Sequence, residues 1–255
     1  MEPYENDGFT QMQYQSYEDM SGGFESGNAV NTPMQKLKSL MYESVITRSF
    51  LFMVAALVIT AFSAFTAPTY LYRWLASGSY NLFILFGAEL AIVMISNWAI
   101  AKNNAVLTAA LYTVYSYLTG AIIGGLFWVY TGSSITAVFL MTAGMFGVMA
   151  VYGLLTGRDL SSFGNLAMMA LVGVIIASVV NILILHSSAF DFGISIVCVL
   201  IFVGLTAYDT QKIKESVQYA TTDNINTLAL AGGFQLYLDF INIFLRLLRL
   251  FGKRK

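Results

Sequence analysis

Two aspartates stand thirty positions apart in a chain that is otherwise poor in charge: Asp209, in Leu205-Thr206-Ala207-Tyr208-Asp209-Thr210-Gln211, and Asp239, in Tyr237-Leu238-Asp239-Phe240. The polar segment Thr221-Thr222-Asp223-Asn224-Ile225-Asn226-Thr227 between them is centred on Asn224, fifteen positions from each. If both flanks are helical, an antiparallel hairpin sets the two carboxyl groups at one depth, roughly 15 Å or more from the turn at about 1.5 Å per residue. Two carboxyl groups in contact at low dielectric do not readily both ionise, so they share a proton and titrate in two coupled steps. The singly protonated form is held by a carboxyl-to-carboxylate hydrogen bond. The doubly ionised form repels itself and offers hard oxygen ligands to a divalent ion such as Ca²⁺. Such a pair would let protons and cations compete.

Other residues extend this chemistry. Gly232, Gln235, Asp239, Asn242, Arg246, Arg249 and Lys253 recur at spacings of three and four and so share one face of a helix that is otherwise apolar. A surface amphipathic helix has the same pattern, but among several spans such a stripe is expected to face the bundle interior or a water-filled cavity. Asn242 follows Asp239 by one turn on this face and is a candidate for the same ion route. Glu89, in Phe86-Gly87-Ala88-Glu89-Leu90, is the sole charged residue of its apolar segment. It is either a third carboxylate along a cation path or a structural hydrogen-bonding group, and Ser96 lies on its face. Together Asp209, Asp239 and Glu89 form the transient Ca²⁺ ligand set to be tested. Ser178 and Asn181 read as interhelical hydrogen-bonding groups and His186 as a loop residue. The single cysteine, Cys198, reads as a packing residue and excludes an intramolecular disulfide or a cysteine-cluster metal site.

The elements that position these groups are transmembrane helices. Hydrophobic residues make up 57% of the chain and charged ones 11%, against roughly a quarter charged in an ordinary soluble domain. About 20 apolar residues cross the hydrocarbon layer, and such segments recur near 46–67, 80–101, 105–128, 134–156, 164–185, 191–216 and 227–250. The expected fold is an all-α membrane protein, residues 34–255 forming seven transmembrane helices. Residues 1–33 carry six acids and no Lys or Arg, and are rich in Gly, Ser, Gln, Asn and Tyr. They read as a disordered acidic tail, lacking the features of a cleaved signal peptide and open to a protein partner. With the N-terminus cytoplasmic, Lys36, Lys38, Arg48, Lys102, Arg158, Lys212 and Lys214 fall inside and only Arg73 outside among the loops, as the positive-inside rule prefers. The cluster Arg246, Arg249, Lys253, Arg254 and Lys255 then falls outside if the seventh segment crosses, as its length suggests. Two small-residue pairs, Gly120/Gly124 and Ala143/Gly147, suit close helix packing, within the bundle more often than in a dimer.

Several stretches in order carry a resemblance: Val129-Tyr130-Thr131 with Ser134-Ile135, Tyr152-Gly153 through Thr156-Gly157-Arg158-Asp159-Leu160-Ser161, Ile175-Ile176-Ala177-Ser178-Val179-Val180-Asn181, Gly204 to Thr210, and Leu236-Tyr237-Leu238-Asp239-Phe240-Ile241-Asn242-Ile243-Phe244. Over roughly residues 45–251 the chain resembles the Bax inhibitor-1 family, the transmembrane Bax inhibitor motif proteins. That resemblance implies seven helices around a central last helix, a pH-sensitive calcium leak, and a paired-aspartate sensor mapping onto Asp209 and Asp239, with Glu89 as the second-helix acid. Family members can also carry an arginine in the second helix that latches a sensor aspartate. This span has none before Lys102, which leaves Lys102 and Arg48 as candidates for the latch.

The resulting expectation is a non-enzymatic calcium leak channel with Ca²⁺ as permeant ion, protons and the lipid bilayer as partners, and neither cofactor nor nucleic acid. Its location is the bacterial cytoplasmic membrane, or the endoplasmic reticulum membrane if the cell is eukaryotic; the oligomeric state stays open. A proton-coupled cation transporter uses the same shared-proton carboxylates. An intramembrane aspartyl protease would also place Tyr-Asp on one helix and Asp on the next, but here the second aspartate lacks the Gly-x-Gly-Asp of that class and no proline follows Pro68.

Overall fold

Each stretch expected to cross a bilayer is helical in the computed structural model, which describes residues 33–66, 72–73 and 77–255. The helices are α1 Pro33–Thr66, α2 Ser79–Ala101, α3 Ala105–Gly124, α4 Gly132–Leu155, α5 Ser161–Val180, α6 Ser188–Ser216 and α7 Ile225–Phe251. A single turn, Leu126–Val129, prolongs α3; a π-turn, Asn181–Leu185, prolongs α5; and a 3₁₀ turn, Val217–Tyr219, prolongs α6. All seven are long and apolar enough to span a membrane, and the limits of the spans fall within a few residues of those expected, although α1 itself begins at Pro33, well before its span Tyr42–Thr66. Among the described residues there is no strand, only a bridge between Tyr130 and Arg254. Residues 41–255 make one unit; of residues 1–40, only Pro33–Leu40 are described, as helix. The acidic tail lies outside the described residues.

Polar residues at the breaks build the turns. Asn104 caps α3 by accepting from the Leu107 N–H at 3.0 Å, and Asn103 before it adopts φ 52°, a left-handed conformation that asparagine tolerates. Asp159 accepts from the Ser161 N–H at 2.8 Å at the start of α5. The hydrogen bonds from the Ser161 side chain and backbone hold its carboxyl below the ordinary carboxylate range. Between α6 and α7, the Thr221 N–H donates to Asn224 Oδ1 at 2.7 Å and the Asn224 amide to the Tyr219 carbonyl at 3.0 Å.

α7 is the central helix: 67% of its most apolar window is buried, against 6% for α5. It packs chiefly against α6, and also against α4 and α3. Glycines set the closest approaches. A Cβ on Gly153 would strike the Ala207 backbone of α6, and one on Gly120 would strike Thr60 and Ser63 of α1. The Gly120/Gly124 pair is thus used inside the bundle, whereas Ala143 is exposed and Gly147 has nothing within 4 Å of where its Cβ would lie. Large apolar side chains such as Phe65, Leu155 and Met169 stand exposed on the outside, as helices surrounded by hydrocarbon require.

Candidate functional site

The α6–α7 hairpin brings Asp209 and Asp239 together. α6 runs without interruption past Asp209 to Ser216, as the residues after Thr210, free of Gly and Pro, allow. Both aspartates are buried, Asp239 to 1% exposure and Asp209 to 5%. Their carboxyl groups are in hydrogen-bond contact with each other. Asp209 Oδ2 also accepts from the Gln235 amide at 3.1 Å. Asp239 Oδ2 has no hydrogen-bond partner among the described residues. A buried carboxylate oxygen left unpartnered is costly unless a proton or cation occupies it, so the pair is suited to holding one or the other.

Neighbouring groups fix this geometry. Thr206 and Thr210 return their hydroxyls to the carbonyls of Phe202 and Thr206, keeping these polar groups satisfied within α6. Gln211 clamps the α4–α5 connection, donating to the Arg158 carbonyl at 2.8 Å and accepting from the Leu160 N–H at 2.8 Å. Lys214 Nζ donates to the Leu154 carbonyl at 2.9 Å. Two side-chain anchors on one helix end, together with the Gly153–Ala207 approach, hold α6 against α4.

A cleft of about 330 Å³ reaches Asp209 from the end of the bundle that carries the α6–α7 turn. Asn97, Lys212, Ser216 and Gln235 supply its other polar wall, and Ile100 and Leu228 line it towards the turn. Asp239 is not among its lining residues. One member of the pair therefore borders the cleft while the other is sealed behind it.

Glu89 stands elsewhere. Its Oε1 accepts from the Thr119 hydroxyl at 3.0 Å. The nearby Tyr237 hydroxyl lies 2.7 Å from Thr60 Oγ1, which donates to the Ser116 carbonyl at 3.1 Å. Tyr237 precedes Asp239 by two positions and so points to nearly the opposite side of α7. The three acids do not form one ion site: no cluster of three or more His, Cys, Asp or Glu side chains occurs among the described residues. The hairpin brings two of the acids together, whereas α2 presents Glu89 to the tyrosine side of α7.

Asn242 shares the face of Asp239 but turns its amide onto the Leu238 carbonyl of its own helix at 2.8 Å. Neither latch candidate reaches the pair. Arg48 Nη1 donates to Asn226 Oδ1 at 2.6 Å, and Lys102 is an exposed residue capping the C-terminus of α2. The cation that shares the cleft with Asp209 is Lys212, one turn further along α6 and 5.9 Å from the Tyr208 ring centre. Its spacing of three from Asp209 was visible in the sequence, as was the spacing of four between Gln235 and Asp239. Further along the polar face of α7, Arg249 forms an ion pair with Asp191 near the start of α6. Ser178, expected to bond between helices, donates to its own Val174 carbonyl instead. Asn181 bonds the N–H and C=O of Ser187 within the α5–α6 turn. Cys198 is buried and free, and Ser96 Oγ is buried with no partner among the described residues.

Known proteins share this architecture's sequence. The model of the family described as Inhibitor of apoptosis-promoting Bax1 matches residues 42–255. The chain is 44% identical over 208 residues to the inner membrane protein YbhL of Escherichia coli strain K12, covering 80% of this chain and 88% of that protein. It is 38% identical over 207 residues to the uncharacterized protein RP147 of Rickettsia prowazekii, covering 80% and 87%. It is 35% identical over 230 residues to an uncharacterized protein of Borreliella burgdorferi, covering 89% and 99%.

Proposed function

We propose that this chain, which belongs to the Bax inhibitor-1 family, is a pH-sensitive calcium leak channel of a bacterial cytoplasmic membrane whose gate is the Asp209–Asp239 pair. The family membership and the seven spans make it a multi-pass integral membrane protein. The observation that carries the reading is the contact between two buried carboxyl groups on adjoining helices, one bordering a cleft and the other with an unpartnered oxygen.

In this reading the shared proton ties α6 to α7. Loss of that proton leaves two like charges in contact in a medium of low dielectric, and their repulsion drives the hairpin apart. The exposed oxygens then become cation ligands, with Asn242 one turn further along α7 and Glu89 a separate acidic station on the α2–α3 side. The basic residues of the loops favour a cytoplasmic N-terminus, which turns the cleft and its Asp209 wall to the cytoplasm. The pair then answers to cytoplasmic protons.

The test is Ca²⁺ efflux from liposomes containing the purified protein, measured across a pH series. Asp209→Asn and Asp239→Asn each remove the shared proton site and flatten the pH dependence. Wild-type pH profiles in both variants would sink the gating assignment. Accumulation of Ca²⁺ against its gradient under an imposed pH difference would replace the leak by proton-coupled transport, a reading that the one-sided approach to Asp209 also supports.

A further inference from the structure

A second cavity lies away from the aspartates, between α1, α3, α4 and α7, and the geometry points to a site there for one anionic phospholipid, with part of one acyl chain in the cavity and its phosphate on the Lys253–Lys255 segment. The cavity measures about 270 Å³ and is walled by Leu57, Ala61, Phe127, Ile135, Phe139 and Phe244. Of its two threonines, Thr60 already bonds Tyr237 and the Ser116 carbonyl, and Thr136 returns its hydroxyl to the Gly132 carbonyl. Nothing on these walls asks for a polar ligand. Every lining residue belongs to a membrane-spanning segment, so the hydrocarbon at hand is lipid. The volume is far too small for a partner helix, which is about 10 Å across over the bilayer's depth.

The headgroup end is defined by backbone pairing. The Lys253 N–H donates to Ser134 Oγ at 2.8 Å, the Thr131 N–H to the Lys253 carbonyl at 3.0 Å, and the Lys255 N–H to the Val129 carbonyl at 3.0 Å. Lys255 Nζ donates at 2.8 Å to the carbonyl of Phe127, a residue of the cavity lining. Ser134 directly precedes Ile135 and Thr136 of the cavity wall. The backbone of three exposed basic residues, Lys253, Arg254 and Lys255, is thereby held beside Phe127 of the cavity lining. Among the described residues the acid at this end of the bundle is Asp191, and Arg249 is paired with it. Fixed positive charge over a hydrocarbon slot is the complement of an anionic lipid. A free phosphate would use only the charge, and a zwitterionic lipid only the slot.

Native mass spectrometry of the full-length protein in detergent tests this, with palmitoyl-oleoyl phosphatidylglycerol or the matching phosphatidylcholine added. The wild type should hold the phosphatidylglycerol about tenfold more tightly. The triple variant Lys253→Gln, Arg254→Gln, Lys255→Gln should bind the two lipids alike. Ala61→Phe, introduced at an exposed wall position, should weaken both several-fold, and Ile135→Trp serves as a second filling variant. Equal retention of both lipids by the wild type overturns the site, and so does an unchanged preference in the triple variant. Charge dependence with no effect from either filling variant also overturns it, since that would be surface attraction alone. Calcium flux plays no part in these readouts, so the outcome is separable from that of the proposed channel function.

Discussion

The Gln235 amide and the Asp209 carboxyl group share one wall of the cleft, joined by a 3.1 Å hydrogen bond from α7 to α6, while Asp239 meets the same carboxyl group from the sealed side. The cleft therefore distinguishes positions that are all within membrane-spanning helices. In a Cys198→Ala background, Gln235→Cys and Asn97→Cys should react with a membrane-impermeant thiol reagent at least roughly tenfold faster than Thr206→Cys, which is fully buried on α6. Equal rates at the three positions would mean that water does not reach Asp209 through this cleft.

Glu89 and the aspartate pair occupy different sides of α7, so their substitutions should have different signatures. Glu89→Gln keeps an acceptor for the Thr119 hydroxyl and removes the charge. Its flux should fall several-fold with little movement of the pH midpoint, in contrast to the flattened profiles of the aspartate variants. Unchanged flux would remove Glu89 from the ion route.

Close backbone approach at Gly153 makes the α4–α6 contact intolerant of any side chain. Gly153→Val should destabilise by about 1–3 kcal/mol, the usual cost of forcing atoms into a packed interface. Gly147→Ala on the same helix, with open space around it, should keep or slightly raise thermal stability in detergent, since alanine favours a helix interior over glycine. A Gly153→Val protein as stable as wild type would show that α4 and α6 can part freely.

Asp159 gives a pH dependence whose sign is fixed. Hydrogen bonds from Ser161 lower its folded pKa, so the unfolded chain binds the proton more readily. The contribution to stability is present above the unfolded carboxylate range of about 4 and is lost as pH falls through the lower folded value. The difference in thermal midpoint between wild type and Asp159→Ala, seen at neutral pH, should therefore shrink on strong acidification. A difference that grows in acid would contradict a stabilising Asp159–Ser161 hydrogen bond.

Much of this architecture can be read from residue types, because a bilayer imposes a length and a polarity on every span. Asn103 to Asn104, Thr156 to Asp159 and Thr221 to Asn224 interrupt apolar runs and become the turns, in which Asn104, Asp159 and Asn224 accept backbone N–H groups. The placing of Asp209 opposite Asp239 follows from hairpin arithmetic on either side of Asn224. Less of the rest was legible. Ser178 looks like a group for bridging helices and Asn242 like one for the ion route, yet both satisfy themselves on a carbonyl one turn back, a local bond that competes with any tertiary one. The partner of Arg48 is set by where α1 meets the α6–α7 turn, which periodicity cannot give. The pairing of Lys253 to Lys255 with Val129 to Ser134 depends chiefly on backbone groups, which leave no mark in side-chain pattern; of its bonds to the backbone of this segment, only the Ser134 hydroxyl is a side chain of the partner stretch.

The burial of α7 has a consequence for biogenesis. Its most apolar window has a mean hydropathy of 1.5, against 2.7 for α5, and it carries both an aspartate and arginines. Alone in hydrocarbon such a segment is a poor candidate for insertion, because each ionisable group would cost energy there. It also leaves the ribosome after α1 to α6, when those six are already made. Chain order thus lets the earlier helices form a socket that receives the least lipid-compatible one, and translation itself schedules the bundle's assembly.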